Sequence, residues 1–198
     1  IQLKFSRITI ERELFKDIFS VALPASLSPI FTVGTILILT GLIGQFGSSA
    51  LAGYGIGSRV EFLMIPIVFG IGTAMTAMVG TNIGAKNITR AEKIGFTGAI
   101  SAGLLSAVIG VTLALTPNLW INFFTSDQST FLVTKQYIEI LGFFYIFQGF
   151  GLSLFFASQG ADAMKWPIIA TILRCVITAI GALLAVYYFS SGLAGIFY

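Results

Sequence analysis

The chain has 198 residues, of which 56% are hydrophobic and 10% are charged, and its mean hydropathy is +0.95. Soluble domains carry about 25% charged residues and disordered chains are more polar still, so the composition excludes both classes. There is no histidine to act as a base or metal ligand, and the single cysteine, Cys175, cannot form an internal disulfide. The net charge of +3 comes from scattered basic residues, which argues against nucleic acid as a partner.

Five apolar stretches, taken in chain order, are long enough to cross a bilayer, which takes about 20 helical residues. We predict membrane-spanning helices over residues 18–43, 62–83, 94–115, 137–158 and 167–189. Backbone groups must be hydrogen-bonded in hydrocarbon, and no stretch alternates in polarity as a barrel strand does. The predicted fold class is therefore an all-α membrane protein, a polytopic helical bundle in contact with the lipid bilayer.

Lysine and arginine are unevenly shared between the two ends of these helices. Eight lie before the first span and in the loops after the second and fourth spans, whereas Arg59 and Lys135 lie at the opposite ends. Because cytoplasmic loops are enriched in basic residues, we predict a cytoplasmic N-terminus in a plasma or inner membrane. Residues 1–17 are interpreted as a cytoplasmic linker and residues 18–198 as a transmembrane lobe. The chain begins without methionine, so we expect it to be a piece of a longer protein.

Small residues recur at every fourth position along the second and third predicted spans. The rows are Gly72, Thr76, Gly80 and Gly84; Thr73, Ala77, Thr81 and Ala85; and Gly95, Ala99, Gly103 and Ala107. In lipid, such rows let helix backbones approach closely, so these two spans are predicted to lie centrally in the bundle. The alternative is that the glycines make the second span flexible.

Candidate functional residues are polar side chains within the spans. The sequence contains no pair of carboxylates spaced for acid–base catalysis and no metal-ligand cluster, so we expect neither catalytic residues nor a metal site. The candidate transport path consists of Thr32, Thr35, Glu139, Gln148 and Arg174. The neutral members of this set are equally suited to hydrogen bonds between helices.

The two charged candidates each have two interpretations. Arg174 lies within the fifth predicted span, where a charge either faces a polar interior or extends along its stem to the headgroups. Glu139 either binds a cation or pairs with Lys135 at the membrane surface. The sequence does not decide between a transport role and a structural role for either residue.

Several motifs in the first half of the chain are those of a known family. The chain reads AGYGIGSRVE over residues 52–61, GIGTA over residues 70–74 and VGTNIGAKN over residues 79–87. These motifs resemble the second helix of one lobe in the multidrug and toxic compound extrusion (MATE) family. Further matches occur at residues 23–25 and 159–174, so the resemblance covers nearly the whole chain.

The resemblance implies a transporter with two six-helix lobes facing a central cavity. Members of the family export drugs and other cationic or amphipathic compounds by antiport against Na⁺ or H⁺, and they are not enzymes. This chain then corresponds to one lobe, the C-terminal one by its charged lead-in, without its last helix. Its implied partners are the other lobe and small-molecule substrates. The resemblance implies Na⁺ or H⁺ as the coupling ion and no cofactor.

One position departs from the family pattern. Sodium-coupled members carry an acid about eight residues after the Leu-Pro of the first helix of the second lobe, and this sequence has Thr32 there. Asp162 is the remaining candidate for a cation-related acid, although it lies in a predicted loop. Two other functions stay open: a flippase for lipid-linked saccharides from the same superfamily, whose cavity needs to be strongly basic, and a non-transporting membrane remnant.

Overall fold

The computed structural model describes residues 12–188 and 192–197, and the regular structure in this part of the chain is helical. In chain order the helices are α1 (Arg12–Gly44), α2 (Ser48–Gly84), α3 (Ile88–Leu115), α4 (Asn118–Ile121), α5 (Gln128–Leu141), α6 (Tyr145–Gly160), α7 (Lys165–Tyr187) and α8 (Ala194–Phe197). A single 3-10 turn over Gly142–Phe144 joins α5 to α6.

Five helical segments in the described part of the chain are long and apolar enough to cross a membrane, which confirms the predicted class of multi-pass, all-α membrane protein. Four of them are α1, α2, α3 and α7, and the other, Gln128–Gly160, combines α5 and α6. The helices extend beyond the predicted spans. In particular, α2 begins at Ser48 rather than at residue 62, and α1 already includes residues 12–17 of the predicted linker. Residues 1–11 of that linker and residue 189 lie outside the described residues.

The turns that follow α2 and α6 have the same local structure. Each follows a Gly-Ala pair and places a residue in the left-handed region, Lys86 with φ 58° and Asp162 with φ 54°. The next amide donates to the carbonyl five residues earlier, at 2.8 Å in the first turn and 2.9 Å in the second. Because this bond satisfies a terminal carbonyl and reverses the chain, it ends each helix sharply.

Helix α6 packs against both α2 and α3, and glycines bring the backbones together. A Cβ added at Gly160 would overlap the backbone of Thr76 on α2, and one added at Gly110 on α3 would overlap the carbonyl of Gly142. Helix α2 also contacts α1, α3 and α5. Gly72 and Gly80 on α2 and Gly95 and Gly103 on α3 therefore serve close packing, much of it against the fourth span. The row of Thr73, Ala77, Thr81 and Ala85 is exposed instead.

Helices α1 and α7 lie side by side as a second group. Three polar contacts join them: Ser28 with Thr171 at 2.7 Å, Thr32 with Arg174 at 2.9 Å, and Gln45 with Tyr187 at 3.1 Å. Residue numbers rise together along both helices, so the two run in the same direction. A chain that crosses a membrane in successive spans has its first and fifth spans running in the same direction, as α1 and α7 do.

Candidate functional site

Glu61 is a carboxylate inside a membrane-spanning helix. It lies 13 residues after Ser48, the first residue of α2, which is about 20 Å along the helix from the α1–α2 turn. The hydroxyl of Tyr137 donates to one carboxylate oxygen at 3.1 Å, and the amide of Gln148 donates to the other at 3.5 Å. We call these three residues the Glu61 cluster. Both oxygens are held by neutral donors, which stabilise the charged carboxylate without neutralising it.

The position of the Tyr137 ring follows from the shape of its surroundings. Gly57, one helical turn before Glu61, has no side chain, and a Cβ there would overlap the ring. The rings of Tyr54 and Phe197 meet it edge-on, with centroid separations of 5.6 and 5.3 Å. Tyr137 is only 3% exposed, so its hydroxyl has little freedom to turn away from the carboxylate.

Helix α5–α6 supplies the donors from either side of its interruption. Tyr137 precedes the Gly142–Phe144 turn and Gln148 follows it, so both side chains converge on Glu61 from one span. Tyr145, in the same region, has a buried hydroxyl that meets no partner with hydrogen-bond geometry among the described residues.

Arg174 is bonded to α1 near the middle of both helices. Its Nη2 donates to the hydroxyl oxygen of Thr32 at 2.9 Å, and that hydroxyl in turn donates to the carbonyl of Ser28 at 3.0 Å. Thr32 therefore uses its oxygen as an acceptor for the guanidinium while its own proton is engaged in the helix. The guanidinium is attached to α1 in this arrangement rather than extended along α7 toward the Lys165 end.

The acid and the arginine lie at a common height in the bundle. Thr32 is 12 residues before the end of α1 and Arg174 is 13 residues before the end of α7, which places both about 18–20 Å from the end where α1 turns into α2. Glu61 lies at the same distance from that end. The ion pair found among the described residues is a different one, between Lys135 and Glu139.

The other predicted residues have local partners. Thr35 donates its hydroxyl to the carbonyl of Phe31 within α1 at 2.9 Å. Glu139 lies 3.7 Å from the ammonium of Lys135, and both side chains are more than 40% exposed. Asp162 is exposed in the α6–α7 turn. The structure thus joins Thr32 to Arg174 and Gln148 to Glu61, and it leaves Thr35, Glu139 and Asp162 with separate surroundings.

Glu61 is the member of the site that sequence reasoning did not select. The second span was predicted to begin at residue 62, which put this carboxylate at the membrane edge, whereas α2 begins at Ser48. Its donors are 76 and 87 residues away in the chain, so no local spacing connects them. The usable signal was the carboxylate itself, because an acid that borders a long apolar stretch is costly unless it is partnered. Among the described residues, no group of three or more histidine, cysteine, aspartate or glutamate side chains is arranged to hold a metal ion.

Comparisons with known proteins give matches over most of the chain. A family model described as MatE matches residues 24–184. The probable multidrug resistance protein NorM of Thermotoga maritima is 29% identical over 182 residues, which cover 91% of this chain and 39% of that protein. The probable multidrug resistance protein YpnP of Bacillus subtilis is 25% identical over 147 residues, which cover 74% of this chain and 33% of that protein.

Solved structures share the fold along the full chain. An outward-facing multidrug resistance MATE family transporter of the MOP superfamily matches with a TM-score of 0.86 and 22% identity, over 100% of this chain and 44% of that chain. A MATE structure in complex with MaL6 matches with a TM-score of 0.87 and 23% identity, over 100% of this chain and 45% of that one. The chain therefore spans less than half the length of the proteins it matches.

Proposed function

Because the chain belongs to the MatE family, we propose that it is part of an exporter that moves drugs or other amphipathic or cationic small molecules across the membrane in exchange for a cation. We further propose that Glu61 is the acid of this lobe that binds the coupling cation, either Na⁺ or H⁺. The observation that supports this assignment is the Glu61 cluster, in which a carboxylate at membrane depth is held by the neutral donors Tyr137 and Gln148.

The physical basis of the proposal is the cost of a charge inside a bilayer. An empty carboxylate at this depth needs donors to be tolerated, and a proton or a sodium ion removes its net charge. Glu61 is therefore either a charged, empty carboxylate or a neutral, cation-bound one. Conformations of the protein that give Glu61 different surroundings bind the cation with different affinity. A cation that prefers one conformation and a substrate that prefers the other are coupled through that difference.

Alternating access is the corresponding mechanism for the complete transporter. Its substrate site lies near the midplane between this lobe and the other lobe of the same protein, and the two lobes rock about it. No bond of the substrate is made or broken in such a cycle. The proposed setting is a plasma or inner membrane with the N-terminus of this segment in the cytoplasm.

The two alternative functions have less support. A flippase for lipid-linked saccharides needs a strongly basic cavity for pyrophosphate, whereas Arg174 is a single guanidinium, bonded to Thr32. A non-transporting remnant is less favoured because the relatives that match this chain are described as probable multidrug resistance proteins. Both alternatives predict no drug efflux driven by an ion gradient.

The test is ethidium efflux from liposomes that contain the full-length protein, with Na⁺ and H⁺ gradients imposed separately. We expect one gradient to drive efflux, and Glu61→Gln to reduce the gradient-driven rate at least tenfold because the amide cannot take up a cation's charge. Glu139→Gln is the matched control, since that acid is exposed and paired with Lys135, and it keeps the wild-type rate. Asp162→Asn also keeps the rate if Glu61, rather than Asp162, is the coupling acid. Efflux indifferent to both gradients, or a normal rate in Glu61→Gln, contradicts the proposal.

A further inference from the structure

A small cavity lies between α2, α3 and α6, beside the Glu61 cluster. Its lining includes Met64 and Ile65, which follow Glu61 on α2 by about one helical turn. It also includes Gln148 of α6, which donates to Glu61 at 3.5 Å, and Ser106 of α3. The side chain that holds one oxygen of the acid therefore borders a space that three helices share.

The hydroxyl of Ser106 is buried at this cavity. Ser106 is 1% exposed, and its Oγ meets no hydrogen-bond partner among the described residues. Gly149 of α6 makes room for the hydroxyl, because a Cβ there would overlap it. A buried hydroxyl is costly to leave without a partner, so this group needs one that the packed side chains do not supply.

The size of the cavity and the polar groups that line it fit one water molecule. The centre of a water has about 10 Å³ in which to lie, at the lower end of the space that one buried water needs. The Ser106 hydroxyl is one polar partner. The Gln148 amide is the second, since it offers a carbonyl oxygen besides the N–H that it donates to Glu61. The other lining residues have no side-chain nitrogen or oxygen: Met64, Ile65, Val68, Gly149 and Leu152.

We propose that this cavity is a binding site for one water molecule, which bridges the hydroxyl of Ser106 and the amide oxygen of Gln148. With its oxygen held by the water, the amide keeps its N–H groups toward Glu61 and stabilises the empty, charged carboxylate. Ser106 is thereby a positioning residue, which acts on the acid through the water and Gln148. This positioning role rests on the proposed function of Glu61, whereas the water site does not.

The first measurement is of the water itself. In a structure of the full-length protein that resolves ordered water, we expect density for one water between Ser106 and Gln148, and none in Ser106→Ala. Ser153→Ala is the matched control and keeps the water. Ser153 is also a buried serine whose Oγ meets no partner among the described residues, but it does not line the cavity. A cavity without water in the wild type, or water that persists in Ser106→Ala, refutes the site.

The second measurement is the occupancy of Glu61. The infrared band of its carboxyl group, identified by its loss in Glu61→Gln, is titrated with Na⁺ and, separately, with acid in the full-length protein. In Ser106→Ala the Gln148 amide is less firmly oriented, which makes the empty carboxylate less favourable. We therefore expect half-occupancy at about threefold lower Na⁺ or H⁺ concentration. Ser153→Ala keeps the wild-type midpoint.

Gln148→Met distinguishes an effect that passes through the amide from a general change in packing. Methionine is an unbranched side chain of similar length without an amide, so it removes the link between the water and Glu61. In this background we expect Ser106→Ala to leave the midpoint of the Glu61 titration unchanged. An equal shift in both backgrounds contradicts the positioning role of Ser106.

The outcomes separate this inference from the function on which its second part rests. If no carboxyl band responds to either cation, or if the responding band persists in Glu61→Gln, the proposed role of Glu61 fails, and the water density still decides the site. If the Glu61 band titrates but Ser106→Ala leaves its midpoint unchanged, the proposed function survives and the positioning role of Ser106 is refuted.

Discussion

Tyr137 makes the shorter of the two hydrogen bonds to Glu61, because its hydroxyl donates to the carboxylate at 3.1 Å from a buried ring. Hydrogen bonds to charged groups contribute about 1.5–3 kcal/mol, so losing this donor shifts the balance between the empty and the cation-bound acid. The ring itself is held by contacts that do not involve the hydroxyl. The two roles of the side chain can therefore be separated by one substitution.

Tyr137→Phe removes the donor and keeps the ring. We expect the empty carboxylate to become less favourable, so that Glu61 takes up Na⁺ or H⁺ about tenfold more tightly, while the unfolding temperature changes little. Cation titration of the purified protein measures the first effect and thermal unfolding in detergent measures the second. Tyr54→Phe is the control, because Tyr54 touches the Tyr137 ring and is not a donor to the carboxylate. An unchanged affinity in Tyr137→Phe contradicts the assigned hydrogen bond.

Asp127 lies outside the membrane-spanning segments, directly before α5. It caps α5, and the hydroxyl of Ser129 and the amide of Thr130 hold its pKa below the ordinary value. A lowered pKa in the folded state stabilises the protein above the pKa of the unfolded chain, about 3.9. This contribution is lost as the pH falls through the lower folded-state value.

Asp127→Asn isolates that contribution, since asparagine also caps helices but does not titrate in this range. We expect the difference in unfolding temperature between the wild type and the variant to be constant from about pH 7 to pH 5. Below about pH 4 we expect the wild type to lose stability relative to the variant. Thermal unfolding of both proteins between pH 7 and pH 3 is the measurement. A difference that does not vary with pH would show that the carboxylate has no special stabilisation in the fold.

At the scale of helices, the contact between α2 and α6 depends on backbone proximity. Gly160 lies directly against the backbone of Thr76, and the Thr76 hydroxyl donates to the carbonyl of Phe156 at 2.9 Å. Backbone atoms cannot move aside as a flexible side chain can. A methyl group at residue 160 therefore has to separate the two helices.

Gly160→Ala is expected to destabilise the protein by about 1–3 kcal/mol, the usual range for overpacking. Gly151→Ala in the same helix is the matched control, because a Cβ there has nothing within 4 Å, and alanine favours a helix by about 0.5–1 kcal/mol over glycine. Thermal unfolding of the two variants in the same detergent is the comparison. Equal stability of the two would show that the helices are not in close contact at residue 160.

For the whole molecule, the number and class of the crossings could be predicted from the sequence, because the apolar length that spans a bilayer is a local property. Helix ends were predicted less well. Residues 48–61 contain glycines, an arginine and a glutamate that lower their hydropathy, yet they continue α2 because the chain turns only at residues 45–47. That error in one helix start hid the depth of Glu61.

The candidate site could be predicted only in pieces. Thr32, Gln148 and Arg174 were selected because polar side chains inside apolar spans are costly without a role, but their partners depend on how the helices pack. Arg174 and Thr32 are 142 residues apart, and Gln148 is 87 residues from Glu61. Such pairings are set by helix rotation and register, which the spacing of residues in one helix does not specify.

The three hydrogen bonds that join α1 and the residue after it to α7 limit how the two helices can move. They occur at residues 28 and 32 of α1 and at residue 45 just after it, opposite residues 171, 174 and 187 of α7. A slip of one helix along the other by one turn, about 5.4 Å, breaks all three hydrogen bonds together. A tilt of α1 and α7 together as one rigid unit breaks none of these hydrogen bonds. The contacts therefore favour tilting of the pair over sliding of one helix along the other.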